Sequence, residues 1–259
     1  ATAPQRTPPM HFSHRTLMCC ALAVPGLLAG FSAEAKVVVE SNRVVYTEGT
    51  RELSVRSQNA GSGPVLVQAW ISAYGARTPP AESSAPFVIL PPVVRVDAGK
   101  HQVFRLRFLG DDLPADRESV FSLNLAEIPA SPVGDEASSG VLNIVLRNRL
   151  KLFYRPKSIS RLDAAGAIDS LRWSLVSEGQ GWVLQAKNDS PFHVSTVKAS
   201  VTVNGRSAAA GSMDMLRPYA THRFPLTGTL STVSSGSVTF KYINDHGGVV
   251  ERTMPLTTH

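Results

Sequence analysis

The chain has little cysteine: two among 259 residues, Cys19 and Cys20, side by side. Both fall in an N-terminal stretch that reads as an export signal, so the exported part has none. That excludes a disulfide framework and a thiolate metal site. Neither cysteine follows the Gly or Ala expected before a lipid-bearing cysteine, which argues against lipoprotein processing. Beyond that stretch no apolar run is long enough to span a membrane, so no stable membrane insertion is expected. Aromatics make up 7% of the chain and do not interleave with its basic residues, which argues against nucleic acid as a partner. There is no G-x-S-x-G, no H-E-x-x-H and no P-loop. The seven histidines are scattered: His11 and His14 lie in the signal, and His193, His222 and His246 fall near strand ends. No catalytic residue, metal-ligand set or cofactor site is therefore expected, and the chain does not read as an enzyme. Helical periodicity beyond a turn or two and short-period repeats are absent as well.

The signal is read from its three parts. Arg15 follows Met10 in a short polar start, Leu17–Phe31 is almost wholly apolar, and Ala33-Glu34-Ala35 has the small-x-small pattern of a cleavage site. Met10 is the expected initiator, Ala1–Pro9 an upstream extension, and cleavage is expected after Ala35. The product is Lys36–His259, and loss of Arg6, Arg15 and Glu34 lowers the net charge by one from +6. Modest positive charge suits an acidic partner or a carboxylate. An exported chain without disulfides is stabilised by its cores alone, which two domains of about 100 residues can manage.

Nineteen glycines and eighteen prolines punctuate short runs of strand-like pattern. Lys36–Tyr46 alternates except at Glu40-Ser41-Asn42. Arg51–Asn59, Pro64–Ala73 with Trp70 as its large core residue, Phe87–Leu90, Val93–Val96, His101–Phe108 and Arg117–Ile128 follow, with turns every eight to twelve residues. This spacing argues a β-sandwich over residues 36–156. Lys157–Gly166 reads as a hinge. Ala167–Val176, Gly181–Asn188, His193–Val203, Met213–Leu216, His222–Leu226, Val238–Asn244 and Val249–Leu256 then make a second, smaller sandwich over 157–259. Asn188-Asp189-Ser190 fits a glycosylation sequon and equally a turn.

One stretch organises the rest. Val141–Pro156 has no glycine and no internal proline, and it is rich in branched and aromatic residues, so it reads as one long strand ended by Pro156. Its first half is apolar on both faces. Arg147, Arg149, Lys151 and Arg155 crowd its second half. The pattern fits an ordinary core strand with a solvated tail. It fits equally a strand lent to a partner, with a cationic anchor at its end.

Three segments carry a resemblance: Leu113–Ala130, Leu150-Lys-Leu-Phe-Tyr-Arg-Pro156, and Tyr242-Ile-Asn-Asp-His-Gly-Gly248. In order and spacing they closely resemble the motifs of the PapD-like periplasmic chaperones of chaperone–usher pilus assembly. The resemblance extends over essentially all of Lys36–His259; Ser122 departs from it, where the family usually has an aromatic. It implies two immunoglobulin-like sandwiches in an L, or boomerang, with a cleft between them. It implies that Arg43 and Lys151 hold the C-terminal carboxylate of a pilus subunit. Leu142, Ile144 and Leu146 are implied as the donor strand inserted into an unfinished subunit, and Glu118, Arg155 and Asp245 as an interdomain charge network. The expected partners are fimbrial subunits and an outer-membrane usher, in the periplasm, without ATP or cofactor. An exposed apolar edge also invites self-association of the free protein. From the residues alone, Arg43 reads equally as a solvated strand charge, and the three apolar residues as part of the chain's own core. Strict alternation puts Lys151 and those three on opposite faces, to be reconciled by a bulge or by strand twist. The rival reading is a secreted Ig-like adhesin or carbohydrate-binding module, but Trp70, Trp173 and Trp182 all sit in strand-like runs rather than on loops.

Overall fold

The computed structural model describes residues 37–129, 145–179, 181–228, 230 and 235–257. The signal reading over 1–35 lies outside them. Lys36–Tyr46, expected as one interrupted strand, forms two strands in two sheets. β1 (Val37–Val39) pairs antiparallel with β3 (Leu53–Asn59), and β2 (Arg43–Thr47) runs parallel to β9 (Leu146–Arg155). The polar Glu40-Ser41-Asn42 break is where the chain crosses from one sheet to the other. The first sheet continues through β7 (His101–Phe108) to β5 (Phe87–Leu90). The second runs β2-β9-β8-β4-β6, with β8 (Ser119–Pro129), β4 (Val65–Ala73) and β6 (Val93–Val96).

Period-two alternation decides what the two sheets bury between them. Val55, Phe104 and Leu106 come from one side, and Val67, Ile71, Leu123, Leu125 and Leu152 from the other. Tyr46 ties the layers together: its hydroxyl donates to the Thr50 carbonyl and accepts the Phe108 N–H at 3.3 Å. Trp70 corrects the expectation from sequence. It is buried but does not belong to this core; it lies on the other face of its sheet, with the Arg147 guanidinium 4.3 Å from its ring centroid.

In the second half, β10 (Leu171–Glu178), β11 (Gly181–Asn188) and β15 (Thr221–Thr227) form one layer. The other consists of β13 (Arg206–Ala210), β12 (Val194–Val203), β16 (Gly236–Ile243) and β17 (Val249–Pro255), with the short β14 (Met215–Leu216) on β12. β13 pairs with β15 along one seam, and Trp173 bridges to Leu256 along the other. Between the layers Trp173, Leu184, Val201, Leu216 and Phe240 are fully enclosed. Two expectations are corrected here. The strand expected from Ala167 starts at Leu171, because Gly166–Ile168 form a 3₁₀ turn that tucks Ala167 and Ile168 inward. The Arg-Ser-Ala-Ala-Ala sequence of β13 predicts no strand. β13 forms because Asn204 and Gly205 both take positive φ, 49° and 74°, and close a tight hairpin onto β12.

Asn188 is completely buried. Its Nδ2 donates to the carbonyls of Phe192 at 2.7 Å and Arg217 at 3.1 Å, and its Oδ1 accepts from the Ser190 N–H and hydroxyl. Of the two readings of Asn188-Asp189-Ser190, the turn is therefore the one formed. Asn188→Ala removes four bonds and leaves buried groups unpaired; it is expected to destabilise the second sandwich by about 2–4 kcal/mol in urea unfolding.

Candidate functional site

The β2–β9 pairing makes Arg43 and Lys151 direct neighbours across the ladder. Both side chains reach the second sandwich. Arg43 Nη1 donates to the Ile243 carbonyl at 2.8 Å, and Nε to Asn42 Oδ1 at 3.3 Å. Lys151 Nζ donates to Ser195 Oγ at 3.1 Å and lies 5.8 Å from the Tyr74 ring centroid. Arg43 is 6% exposed, so the solvated-charge reading does not hold for it. Burial lowers the Arg43 pKa, with Asp245 and Glu118 only partly compensating. Burial and then the neighbouring Arg43 charge lower that of Lys151, with Asp214 opposing. Two like charges are thus held together in a partly dry site, and each keeps N–H groups beyond those bonds.

The turn that positions this floor is Asn244–Gly248. Asn244 Oδ1 accepts the N–H groups of His246 at 3.1 Å and Gly248 at 2.9 Å. Gly247, at φ 84°, donates no Cβ, and one there would meet Asn42 Oδ1 at 2.6 Å. That close approach lets Asn42 Nδ2 donate to the Gly247 carbonyl at 3.0 Å, joining the two sandwiches beside Arg43.

Glu118, Arg155 and Asp245 do come together. Arg155 donates to Glu118 Oε1 from Nε at 2.9 Å and Nη2 at 2.7 Å, and from Nη2 to Asp245 Oδ2 at 3.0 Å. Burial opposes the Arg155 charge, but the two carboxylates outweigh it and its pKa is raised. Sequence reasoning missed two members. The His193 N–H donates to Glu118 Oε2 at 2.9 Å with its Nδ1 3.3 Å from the same oxygen, and Phe192 lies under the Arg155 guanidinium at 4.9 Å. In the sequence His193 reads as one of the scattered histidines; its partner is 75 residues away, and no spacing signal links them. Ser195 and the Ile243 carbonyl were missed for the same reason. A cavity of about 400 Å³ borders Arg43, Arg155, His193 and Asp245.

Of the donor-strand residues, Leu142 and Ile144 lie outside the described residues. Leu146 is half-buried opposite Glu127 on β8. The β8–β9 register runs without a shift from Leu146 to Tyr154, so no bulge separates Leu146 from Lys151. Leu146 shares a face with Leu150, Leu152 and Tyr154, and Lys151 stands on the other. Ser122, directly across from Lys151, is buried, and its hydroxyl accepts the Gly75 N–H at 3.4 Å. The aromatic ring bordering Lys151 comes instead from Tyr74.

Residues 36–160 match the model of the pili and flagellar-assembly chaperone PapD N-terminal domain, and 166–254 that of the PapD C-terminal domain. The chain belongs to this chaperone family. It is 40% identical over 224 residues to the chaperone protein FimB/FhaD of Bordetella pertussis, covering 84% of this chain and 87% of that one. It is 31% identical over 241 residues to the probable fimbrial chaperone YadV of Escherichia coli, covering 92% and 96%. The YadV crystal structure superposes with a TM-score of 0.72 at 30% identity, over 86% of this chain and all of that one. The SafB chaperone of Salmonella enterica, solved with the SafA pilin, gives 0.67 at 26% identity over 86% and 96%. The two immunoglobulin-like sandwiches inferred from sequence are those of this family.

Two outcomes follow from the charges. Arg155→Ala strands the buried Glu118 carboxylate and is expected to cost about 3–5 kcal/mol. Asp245→Asn, at a side chain 41% exposed, is expected to cost under about 1 kcal/mol. Denaturant titration of both variants measures the contrast. Lys151→Met addresses the anchor. A lowered lysine pKa means that the charged form is disfavoured by folding, a penalty fully present below the folded pKa and relieved as pH rises through it. The variant is therefore expected to melt at the same or a higher temperature than the parent at neutral pH. That margin should close in alkaline buffer.

Proposed function

We propose that the protein is an ATP-independent periplasmic chaperone that captures unassembled fimbrial subunits and delivers them to an outer-membrane usher. The observation that carries this reading is the desolvated Arg43–Lys151 pair set at the end of an open sheet edge. Family membership and a related chaperone solved with a pilin support it. On β9, the edge facing β2 is paired only from Lys151 onward. Among the described residues, no strand covers that edge from Leu146 to Leu150. A subunit strand laid there, in line with β2, ends with its terminal carboxylate between Arg43 and Lys151. It then runs parallel to β9. The carboxylate takes charge-assisted bonds worth roughly 1.5–3 kcal/mol each.

Residues 36–156 supply the donated strand and both cations, and 157–259 supply the groups that orient them. Leu142, Ile144 and Leu146 fill the groove of a subunit that lacks its last strand. Each contributes about 1.5–3 kcal/mol by burial, while the backbone completes the ladder. At the usher, an extension from another subunit replaces this strand, so a better fit drives release and no cofactor is required. The same open edge lets the free protein pair with itself, visible as concentration-dependent sedimentation.

Co-expression with a pilus subunit tests the reading. Lys151→Ala and Arg43→Ala are expected to lose subunit recovery from the periplasm by an order of magnitude or more while remaining folded. Ile144→Glu should do the same by putting a charge into the groove. Normal recovery with both cation variants would overturn the anchor. Normal recovery with Ile144→Glu would overturn the donation and favour an adhesin-like module that binds through its loops.

A further inference from the structure

The face of β9 turned away from the core carries more positive charge than a single carboxylate uses. Arg147, Arg149 and Lys151 alternate along an unshifted register, so they stand in a row on one face. Arg147 is fixed in place. Its guanidinium lies over Trp70, and Nη2 donates to the Thr78 carbonyl at 3.4 Å, which also accepts Trp70 Nε1 at 3.2 Å. Its Nε is buried without a hydrogen-bond partner among the described residues. Arg77, next to Thr78, is exposed, as is Arg149. Burial first, then the charges of Arg149 and Arg77, lower the Arg147 pKa, so the three feel one another. Among the described residues no ion pair includes Arg77, Arg147 or Arg149.

We propose that Arg77, Arg147 and Arg149 form a second anionic subsite that selects subunits carrying acidic side chains two and four residues before their terminal carboxylate. The inference rests on the carboxylate anchor proposed above and names what that same cleft prefers. The row continues directly from Lys151, so a strand whose last residue sits there passes Arg149 and then Arg147. Neighbouring strands in a sheet keep the same repeat of about 6.6–6.8 Å per two residues, with adjacent side chains on the same face. Every second side chain of the guest, counted back from its end, therefore meets one of these arginines. Cations outside any ion pair among the described residues, one of them desolvated against Trp70, favour acids over amides or lysines at those positions. The apolar side chains of the guest strand, at the positions between, face its own core.

The test uses the mature protein and labelled peptides of about a dozen residues with alternating apolar and polar side chains. One has Glu at the second and fourth positions before the last residue, one has Gln there, and a third is the Glu peptide with an amidated C-terminus. Fluorescence anisotropy at low salt is expected to show the Glu peptide binding about tenfold tighter than the Gln peptide, a margin that shrinks in high salt. The double variant Arg77→Gln/Arg149→Gln is expected to lose most of that preference, with the Gln peptide unaffected. Arg147 is left in place because it packs on Trp70. Equal binding of both peptides by the parent, or an undiminished preference in the double variant, would overturn the subsite while leaving the anchor intact. Undiminished binding of the amidated peptide would instead overturn the anchor, and no binding by any peptide would overturn both.

Discussion

Two like charges held side by side with little water are the constraint around which this molecule is arranged. Left to themselves, Arg43 and Lys151 would separate and reach for solvent, since burial disfavours both charged forms and the Arg43 charge further disfavours that of Lys151. The parallel register of β2 and β9 forbids separation at the backbone. The Ile243 carbonyl and the Ser195 hydroxyl, both from the second sandwich, take one donor from each cation and fix its direction. The site therefore exists only while both sandwiches keep their positions.

That requirement explains the neighbouring network. Glu118 is a buried carboxylate, and such a group persists only when its lone pairs are taken. Two arginine nitrogens, a backbone N–H and the His193 ring take them. Because Glu118 belongs to the first sandwich and His193 to the second, satisfying the charge also sets the joint between them. Phe192 beneath Arg155 and the Asn42–Gly247 contact reinforce the same joint from either side. Stability of the joint and the placement of Arg43 and Lys151 thus depend on the same contacts between the sandwiches.

The strand β9 divides its work along its length and across its faces. From Lys151 onward it is locked between β2 and β8; before that point it has β8 alone among the described residues. One face supplies Leu150, Leu152 and Tyr154 to the core, and the other carries Arg147, Arg149, Lys151 and Arg155. The opposite parities of Leu146 and Lys151 therefore need no bulge. They mark two faces of one regular strand with two separate uses.

Much of this was legible in the sequence because it is decided by near neighbours. Strand alternation, the Asn244–Gly248 turn and the polar interruption at Glu40–Asn42 follow from local sterics and polarity, and the family motifs lie within such segments; that the chain changes sheets at this interruption was decided by packing. Even the missed hairpin at Asn204-Gly205 had a local signal, masked by the weak strand propensity of the alanines after it. What the sequence by itself determined was where the chain extends, where it turns and which positions carry charge. Only the tertiary structure decided which face Trp70 takes, that His193 rather than another histidine meets Glu118, and that Arg43 finds its acceptor 200 residues away. Coulomb attraction and desolvation depend on distance and burial in space, and neither is encoded in separation along the chain.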